Sequence, residues 1–214
     1  MSKLLKSSNV VILGTHPETL EAFDPVRHIN DEVWGMAHHA KTTLYATKAF
    51  EAHSPEIVWE HGGNGHVDRL KRLANVMPLF TMYEWPMSLG PHHITVTAHD
   101  LVRYGAVRER PTPFIESSIG YLMAMALSGW DNDFVRDVYL YGINMDGSDE
   151  YTYQRPNVCY LIGKAEGLGI NVHLPEACGL MSSQWTAGVY GHPSNIRDIN
   201  YYLRPSEAPQ EDRS

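Results

Sequence analysis

Residues 138–156 read VYLYGINMDGSDEYTYQRP, and this stretch decides the fold. An apolar run of strand-forming residues ends at Gly142, and many hydrogen-bonding side chains follow it. A short, nearly continuous apolar run is typical of a strand buried on both faces, as in parallel sheets. Ligands of such sheets bind beyond the carboxyl ends of the strands. The stretch therefore predicts a parallel sheet with a ligand site after this strand.

The rest of the chain repeats this alternation of short apolar runs and helical segments. We predict strands over residues 9–14, 31–36, 56–61, 77–82, 138–143 and 170–175. Helices are predicted over about 17–23, 42–53, 65–75, 95–104, 117–128 and 156–168. The spacing leaves room for the crossovers that parallel strands need. It predicts an α/β fold, a Rossmann-like, doubly wound, mainly parallel sheet with helices on both faces.

Length and composition bound the class of protein. The 214 residues predict a single domain over 1–204 and a polar C-terminal tail over 205–214. A run of about 18 apolar residues is missing from the sequence, so we expect no membrane span. Cys159 and Cys178 stand in no metal or redox spacing, which favours a reducing, cytoplasmic setting. The net charge of −8 argues against broad binding to a nucleic-acid backbone.

The first predicted strand runs into a turn that could bind an anion. In VVILGTHPETL (10–20), Gly14 permits a tight turn, and Thr15 with Glu18 fits a capping box. The free N–H groups of a helix that opens here would receive a phosphate or carboxylate, with His16 as the nearest titratable side chain. A plain strand–helix connection is the alternative.

A second candidate site precedes the apolar helix in PTPFIESSIGYLMAMALSG (111–129). Ser117 or Ser118 fits the N-cap, and Gly129 fits the end of the helix. The helix is apolar nearly all round, which predicts an interior position. Its start would then place hydroxyls inside the crevice of the sheet, where they bind a ligand or simply cap the helix.

The opening stretch supplies the third group of candidates. We predict that a loop after the strand holds ligand-binding side chains and leads to a helix with Pro156 in its first turn. Tyrosine phenols can donate to a phosphate, and an arginine can clamp an oxyanion through two hydrogen bonds. The alternative is a set of ordinary solvated loop residues. The candidates are Asn144, Asp146, Tyr151, Tyr153, Gln154 and Arg155.

Three stretches taken in order, 10–23, 116–129 and 138–175, resemble one known arrangement. They are similar to the Rossmann-type sialyltransferases of bacterial surface glycans and the related motility-accessory glycosyltransferase-like domains. Similar short Rossmann-like proteins also come from bacteriophage genomes. Members of the sialyltransferase family take a sugar from a cytidine-monophosphate donor without a metal.

The resemblance also implies roles for individual residues. It implies that the Ser117–Ser118 turn holds the nucleotide or the donor, and that Tyr151 and Tyr153 steady the leaving phosphate. The family's histidine base precedes the last helix, where this chain has Tyr153-Gln154-Arg155. The family's acidic residue at the strand end is an amide here, Asn144.

A base must then come from elsewhere in the chain. His93, or its neighbour His92, is one candidate, and the carboxylates of Glu84 and Glu116 are the others. The two carboxylates are expected at the same edge of the sheet, and the histidines would act from another loop.

The histidine groups of the middle segment do not predict a metal site. His61 with His66, or His92 with His93 and His99, matches no known closed zinc spacing. We therefore expect neither a metal nor another cofactor.

These observations predict a glycosyltransferase that uses a nucleotide-sugar donor, with the acceptor unidentified. One alternative is a hydrolase of the N-glycosidic bond of a nucleotide or nucleoside, with Glu84 or Glu116 activating water. Another is a non-enzymatic protein that sequesters a nucleotide. The partner in each case is a nucleotide-sugar or nucleotide small molecule, and the sequence leaves open whether the chain forms a homo-oligomer.

Overall fold

The computed structural model describes residues 7–108, 113–128, 135–145 and 151–181 of the chain. Its strands are β1 (Asn9–Leu13), β2 (Glu32–Met36), β3 (Lys48–Glu51), β4 (Leu79–Thr81), β5 (His93–Thr95), β6 (Asp137–Tyr141) and β7 (Asn171–His173). Its helices are α1 (Pro17–Leu20), α2 (Ala40–Thr43), α3 (Pro55–Val76), α4 (Ala98–Arg103), α5 (Ser118–Leu127) and α6 (Tyr151–Gly167). All of them belong to one compact unit, Met1–Leu180, and a second unit, Met181–Ser214, lies outside the described residues apart from Met181.

The seven strands form one sheet in which every neighbouring pair is parallel. Their order is β5-β4-β3-β2-β1-β6-β7, so the chain builds outward from β1 on one side and then returns to add β6 on the other. The predicted α/β, Rossmann-like fold is confirmed. The reversal of direction between β1 and β6 is the place where such sheets open a crevice for ligands.

Both faces of the sheet are covered, which explains the nearly continuous apolar strands. Along β1, Val10 and Ile12 pack in the cluster that contains α5 and α6. Val11 and Leu13 point to the other face, where Leu20 and Phe23 pack against them. Helix α3 covers that second face further along the sheet, against the alternate residues of β3 and β4.

The prediction of a strand over 56–61 is wrong, because these residues form the first turns of α3. Ser54 caps this helix by accepting a hydrogen bond from the backbone N–H of Ile57, and Pro55 occupies the first turn. These start signals outweigh the β-branched residues of the segment. The helix is kinked at Gly63, whose φ of 55° is left-handed.

The prediction of a helix over 42–53 is also wrong, because the segment holds the end of α2 and then strand β3. The strand was missed because charged residues occupy both of its ends. Lys48 is buried against the carboxylate of Glu32, and the side chain of Glu51 is fully buried among histidines. Ion pairing therefore lets a charged sequence form an interior strand.

Strand β5 was also not predicted from the sequence. It is a three-residue edge strand with partly exposed side chains, so its apolar signal is weak. The helix predicted over 95–104 begins at Ala98, where Thr97 and Asp100 form a capping box.

Helix α6 includes Tyr151, so the prediction that Pro156 lies in its first turn is wrong. Pro156 instead lies inside the helix, where it offers no N–H to the carbonyl of Thr152. The earlier start places Tyr151, Tyr153, Gln154 and Arg155 on a helix rather than on a loop.

Within the described ranges, no helix has both the length and the apolar character that crossing a bilayer requires.

Candidate functional site

A cavity of about 390 Å³ opens at the carboxyl edge of the sheet. Its lining mixes apolar side chains with hydroxyl, amide, carboxylate and imidazole groups. The polar lining residues are Thr15, His38, His53, Tyr83, Glu116, Ser117, Ser118, Asn144, Tyr151 and Gln154.

Five neighbouring strands deliver residues to this cavity. Thr15 follows β1, His38 follows β2, His53 follows β3, Tyr83 follows β4, and Asn144 follows β6. The carboxyl ends of parallel strands meet at one edge, so residues distant in sequence converge there. The cavity extends across the switch point between β1 and β6. The predicted gathering of the 10–23, 116–129 and 138–175 stretches is therefore real for Thr15, Glu116, Ser117, Ser118, Asn144, Tyr151 and Gln154.

The turn after β1 differs from its prediction. The capping box of Thr15 and Glu18 is wrong, because α1 is a single turn whose N-cap residue, His16, makes no side-chain capping bond. The backbone N–H of Gly14 donates to the carbonyl of Tyr141 (2.7 Å), and that of His16 donates to Gly142 (2.8 Å). Neither Gly14 nor His16 lines the cavity, and Thr15 is the part of the turn that does.

The start of α5 agrees with its prediction. Ser117 is the N-cap residue, and its hydroxyl accepts a hydrogen bond from the N–H of Gly120 (2.9 Å). The hydroxyl of Ser118 makes no hydrogen bond to any described residue, and both serines line the cavity. The helix behind them is buried from Ile119 to Ala126, as expected of an interior helix.

Asn157 fixes the segment that leads into α5. Its side chain, fully buried on α6, donates to the carbonyl of Phe114 (2.8 Å) and accepts from the N–H of Glu116 (3.3 Å). The sequence analysis missed this residue. An amide inside the apolar run NVCYLIG was the available signal, because a buried amide must find partners.

The segment after β6 brings in part of the predicted cluster. The side-chain oxygen of Asn144 accepts from the N–H of Gly179 (2.6 Å). Met145 is buried with a φ of 57°, a left-handed conformation that costs a non-glycine residue about 1 kcal/mol or more. Such strain often accompanies functional sites. Asp146 lies outside the described residues.

Helix α6 contributes Tyr151 and Gln154, which are three residues apart and so lie on one face. Tyr153 and Arg155 do not line the cavity. Tyr153 is 54% exposed, and Arg155 donates to the carbonyl of Gly179 (2.8 Å). Helical periodicity explains why Tyr153 and Arg155 point away from the cavity that Tyr151 and Gln154 line. The sequence analysis had predicted all four residues on a loop.

A second cavity adjoins the first and also has a volume of about 390 Å³. The two share the wall residues Met82, Tyr83 and Ile115. Glu84 lines the second cavity and Glu116 the first, each directly after a shared wall residue. Thr97, Ala98, His99 and Pro113 complete the second cavity.

His93, the third candidate base, lines neither cavity. Its Nε2 lies 2.9 Å from the hydroxyl of Thr81, inside the sheet, and burial lowers the pKa of its imidazole.

Three histidines, His38, His53 and His66, surround Glu51, and two of them, His38 and His53, line the first cavity. Nδ1 of His53 lies 2.5 Å from one oxygen of Glu51, and Nε2 of His66 lies 2.9 Å from the other. The ring of His38 lies 5.5 Å from that of His53, between centroids. Burial alone would raise the pKa of Glu51, but the hydrogen bonds from His53 and His66 outweigh it and lower the pKa to about 2.

The sequence analysis did not identify this cluster. His38 and His53 come directly after β2 and β3, and the signal was lost with the misassignment of β3. Removal of water from around its ring lowers the pKa of His38; Glu51 acts in the opposite direction, and His53 and His66 add to the lowering.

The charge of the first cavity is unusual for a phosphate site. Among its described lining residues none is a lysine or an arginine, and Glu116 adds a negative charge. The described lining groups that could hydrogen-bond an anion are therefore hydroxyl, amide and imidazole groups.

Comparisons with known proteins add no relative. No family model, no curated protein and no solved structure matches this chain.

Proposed function

We propose that this chain is a glycosyltransferase that takes a sugar from a nucleotide-sugar donor. The observation that carries the proposal is the pair of adjoining cavities at the carboxyl edge of the sheet, the first of which crosses the switch point between β1 and β6. A transferase binds two substrates side by side, and two cavities with a common wall suit that need. The resemblance of the three stretches to sialyltransferases points to the same class of reaction.

The donor is assigned to the first cavity. Ser117 and Ser118 begin α5, whose opening amides and hydroxyls favour a negatively charged group. The phenol of Tyr151 and the amides of Asn144 and Gln154 are the other hydrogen-bonding groups available to a donor. Hydrogen-bond donors aimed at a developing phosphate charge lower the barrier by a few kcal/mol each.

The acceptor is assigned to the second cavity, with Glu84 as its base. The carboxylate of Glu84 takes the proton of an acceptor hydroxyl, and the hydroxyl oxygen forms a bond to the anomeric carbon of the donor sugar. The bond from that carbon to the phosphate oxygen breaks, and the nucleotide leaves with the electron pair. Glu116, on the donor side of the shared wall, is assigned to accept hydrogen bonds from sugar hydroxyls.

The first test is a thermal-shift screen of the full chain against nucleotides and nucleotide sugars, followed by an assay of released nucleotide. A true donor raises the melting temperature, since binding to the folded state stabilises it. Ser118→Ala is expected to weaken donor binding at least tenfold. Glu84→Gln should leave donor binding intact and slow transfer by about 10²–10⁴-fold, the usual contribution of a general base.

Matched controls separate these effects from damage to the fold. Ser8→Ala and Glu60→Gln make the same chemical changes at exposed positions away from both cavities. Release of free base or nucleotide without any acceptor would favour the N-glycosidic hydrolase instead. Tight binding with the ligand recovered intact would favour a sequestering protein, and a screen without any shift would overturn all three.

A further inference from the structure

The histidine cluster beside the donor cavity has the composition of a metal site. One ligand atom each of His38, Glu51 and His53 lies within 4.8 Å of the other two. Two imidazoles and one carboxylate form the ligand set of many catalytic zinc sites, which keep a further position open for water or substrate. The three residues come from the ends of β2 and β3, which pair in the sheet and hold them in place.

The spacing of these atoms suits a small divalent cation. Zinc bonds of about 2.0–2.2 Å put neighbouring ligand atoms roughly 3–3.5 Å apart. Adjustments of about an ångström in the three side chains reach that geometry. The cation would replace the contact between Nδ1 of His53 and Glu51, which is 2.5 Å long.

A second layer of hydrogen bonds already orients the carboxylate. His66 Nε2 lies 2.9 Å from the Glu51 oxygen that His53 does not contact, and the N–H of His53 donates to the other oxygen at 3.0 Å. Outer partners of this kind fix the ligands of metal sites and are worth about 10–100-fold in metal affinity. These hydrogen bonds hold the buried side chain of Glu51 in place, while His38 has no hydrogen-bond partner among the described residues.

The position of the cluster would place a bound cation beside the phosphate of the donor. His38 and His53 line the donor cavity, whose described walls carry no lysine or arginine. Apart from the two imidazoles, the described lining would offer a leaving phosphate only a carboxylate, hydroxyl groups and amides unless a cation joined them. Hard or borderline cations that are bound by imidazole and carboxylate stabilise phosphate oxygens as Lewis acids.

We propose that His38, Glu51 and His53 bind one divalent first-row transition cation, with zinc as the best match, at the wall of the donor cavity. The site itself stands on the geometry of the cluster, and its role beside a donor phosphate rests on the proposed glycosyltransferase function. It departs from the metal-independent reaction that the resemblance implies. His66 is a positioning residue that acts through Glu51.

The test measures binding of Zn²⁺ and Co²⁺ to the tag-free full chain after treatment with a chelator and dialysis. Calorimetry with Zn²⁺ should give one site per chain, and Co²⁺ should give a visible absorption band that Zn²⁺ abolishes. His38→Ala and His53→Ala should remove the band, and His66→Ala should weaken binding about 10–100-fold. All of these measurements omit the nucleotide donor, so they succeed or fail independently of transferase activity.

Two control variants test whether other histidines of the chain bind the metal. His61→Ala and His92→Ala remove exposed imidazoles that lie outside the cluster, and they should leave affinity and stoichiometry unchanged. The inference is overturned if neither cation binds at one equivalent, or if His38→Ala and His53→Ala bind as the unchanged protein does. Metal binding without any transfer would support this inference and count against the proposed function, while transfer at full rate in chelator without metal binding would do the reverse.

Discussion

Gly14 and Gly142 lie back to back where β1 and β6 end, in direct contact through their backbones. A Cβ atom on either glycine would lie closer than 3.0 Å to the carbonyl group of the other. Gly142 also has a φ of 72°, in the left-handed region. The close approach lets the chains leave the two central strands side by side at the switch point, just before Thr15 and Asn144 in the sequence.

We predict that Gly142→Ala lowers the free energy of unfolding by about 2–4 kcal/mol, because a left-handed alanine costs about 1–2 kcal/mol and the steric clash adds to it. Gly105→Ala is the matched control, with a φ of 71° and nothing within 4 Å of the added carbon. Gly105→Ala should lose only the free energy that the left-handed backbone conformation costs, without a contribution from a steric clash. Urea denaturation measures both, and equal losses would contradict the role of the clash.

Asn157→Leu should destabilise the protein by about 2–4 kcal/mol. The change leaves the part-buried carbonyl of Phe114 and N–H of Glu116 without their partner, at about 1–3 kcal/mol for each unsatisfied group. Asn75→Leu removes a similar bond, to the carbonyl of Lys71, at an exposed site and should cost less than about 0.5 kcal/mol. Chemical denaturation of the two variants decides whether Asn157 holds the entry to α5.

Tyr141→Phe should cost about 1–3 kcal/mol of stability. Nε2 of the buried His28 lies 3.0 Å from the hydroxyl of Tyr141, and Nδ1 lies 2.8 Å from Asp31. Loss of the hydroxyl leaves Nε2 unpaired inside the protein. Tyr139→Phe, on the same strand, keeps its stacking on His173 and should change stability by less than about 0.5 kcal/mol. Similar losses in thermal and urea unfolding for both variants would count against this account.

Asp137 should make stability depend on pH in the acid range. The hydrogen bond from His173, with those from Arg136 and Asn171, lowers its pKa from 3.8 to about 2. A carboxyl whose pKa is lower in the folded state contributes stability above the unfolded value, so the contribution is present above about pH 4 and is lost as the pH falls towards 2. We expect it to be about 1 kcal/mol, because solvent around the half-exposed partners at the start of β6 screens these charges.

Urea denaturation between pH 2 and 6 checks this expectation. Asp137→Asn should flatten the acid limb of the stability curve, whereas Asp68→Asn, at an exposed position on α3, should leave the limb unchanged. An acid limb that keeps its slope in Asp137→Asn would show that other carboxyl groups are responsible.

The architecture could be read from the sequence because β1, β2, β4, β6 and β7 are marked by apolar runs. The strands β3 and β5 could not be identified in this way. Lys48 and Glu51 are buried through ion pairs with residues from other parts of the chain, and no local pattern reveals such partners. Edge strand β5 buries too little to show a pattern.

The site was predictable to the extent that it follows strand ends. Thr15, Ser118 and Asn144 were found because they come after recognised strands or begin a recognised helix. His38 and His53 were missed since their common position depends on the pairing of β2 with β3. Arg155 was misplaced for a different reason, because the early start of α6 rotates it away from the cavity residues Tyr151 and Gln154.

The all-parallel sheet also has an amino edge that, among the described residues, lines neither of the two cavities. Both cavities collect at the carboxyl ends of the strands, so loops at the amino ends can be altered without touching them. Leu168, which is 55% exposed and precedes β7, lies on such a loop. A fluorescent label or a tether to a sensor chip attached there would leave the mouth of the first cavity open to every ligand in a screen.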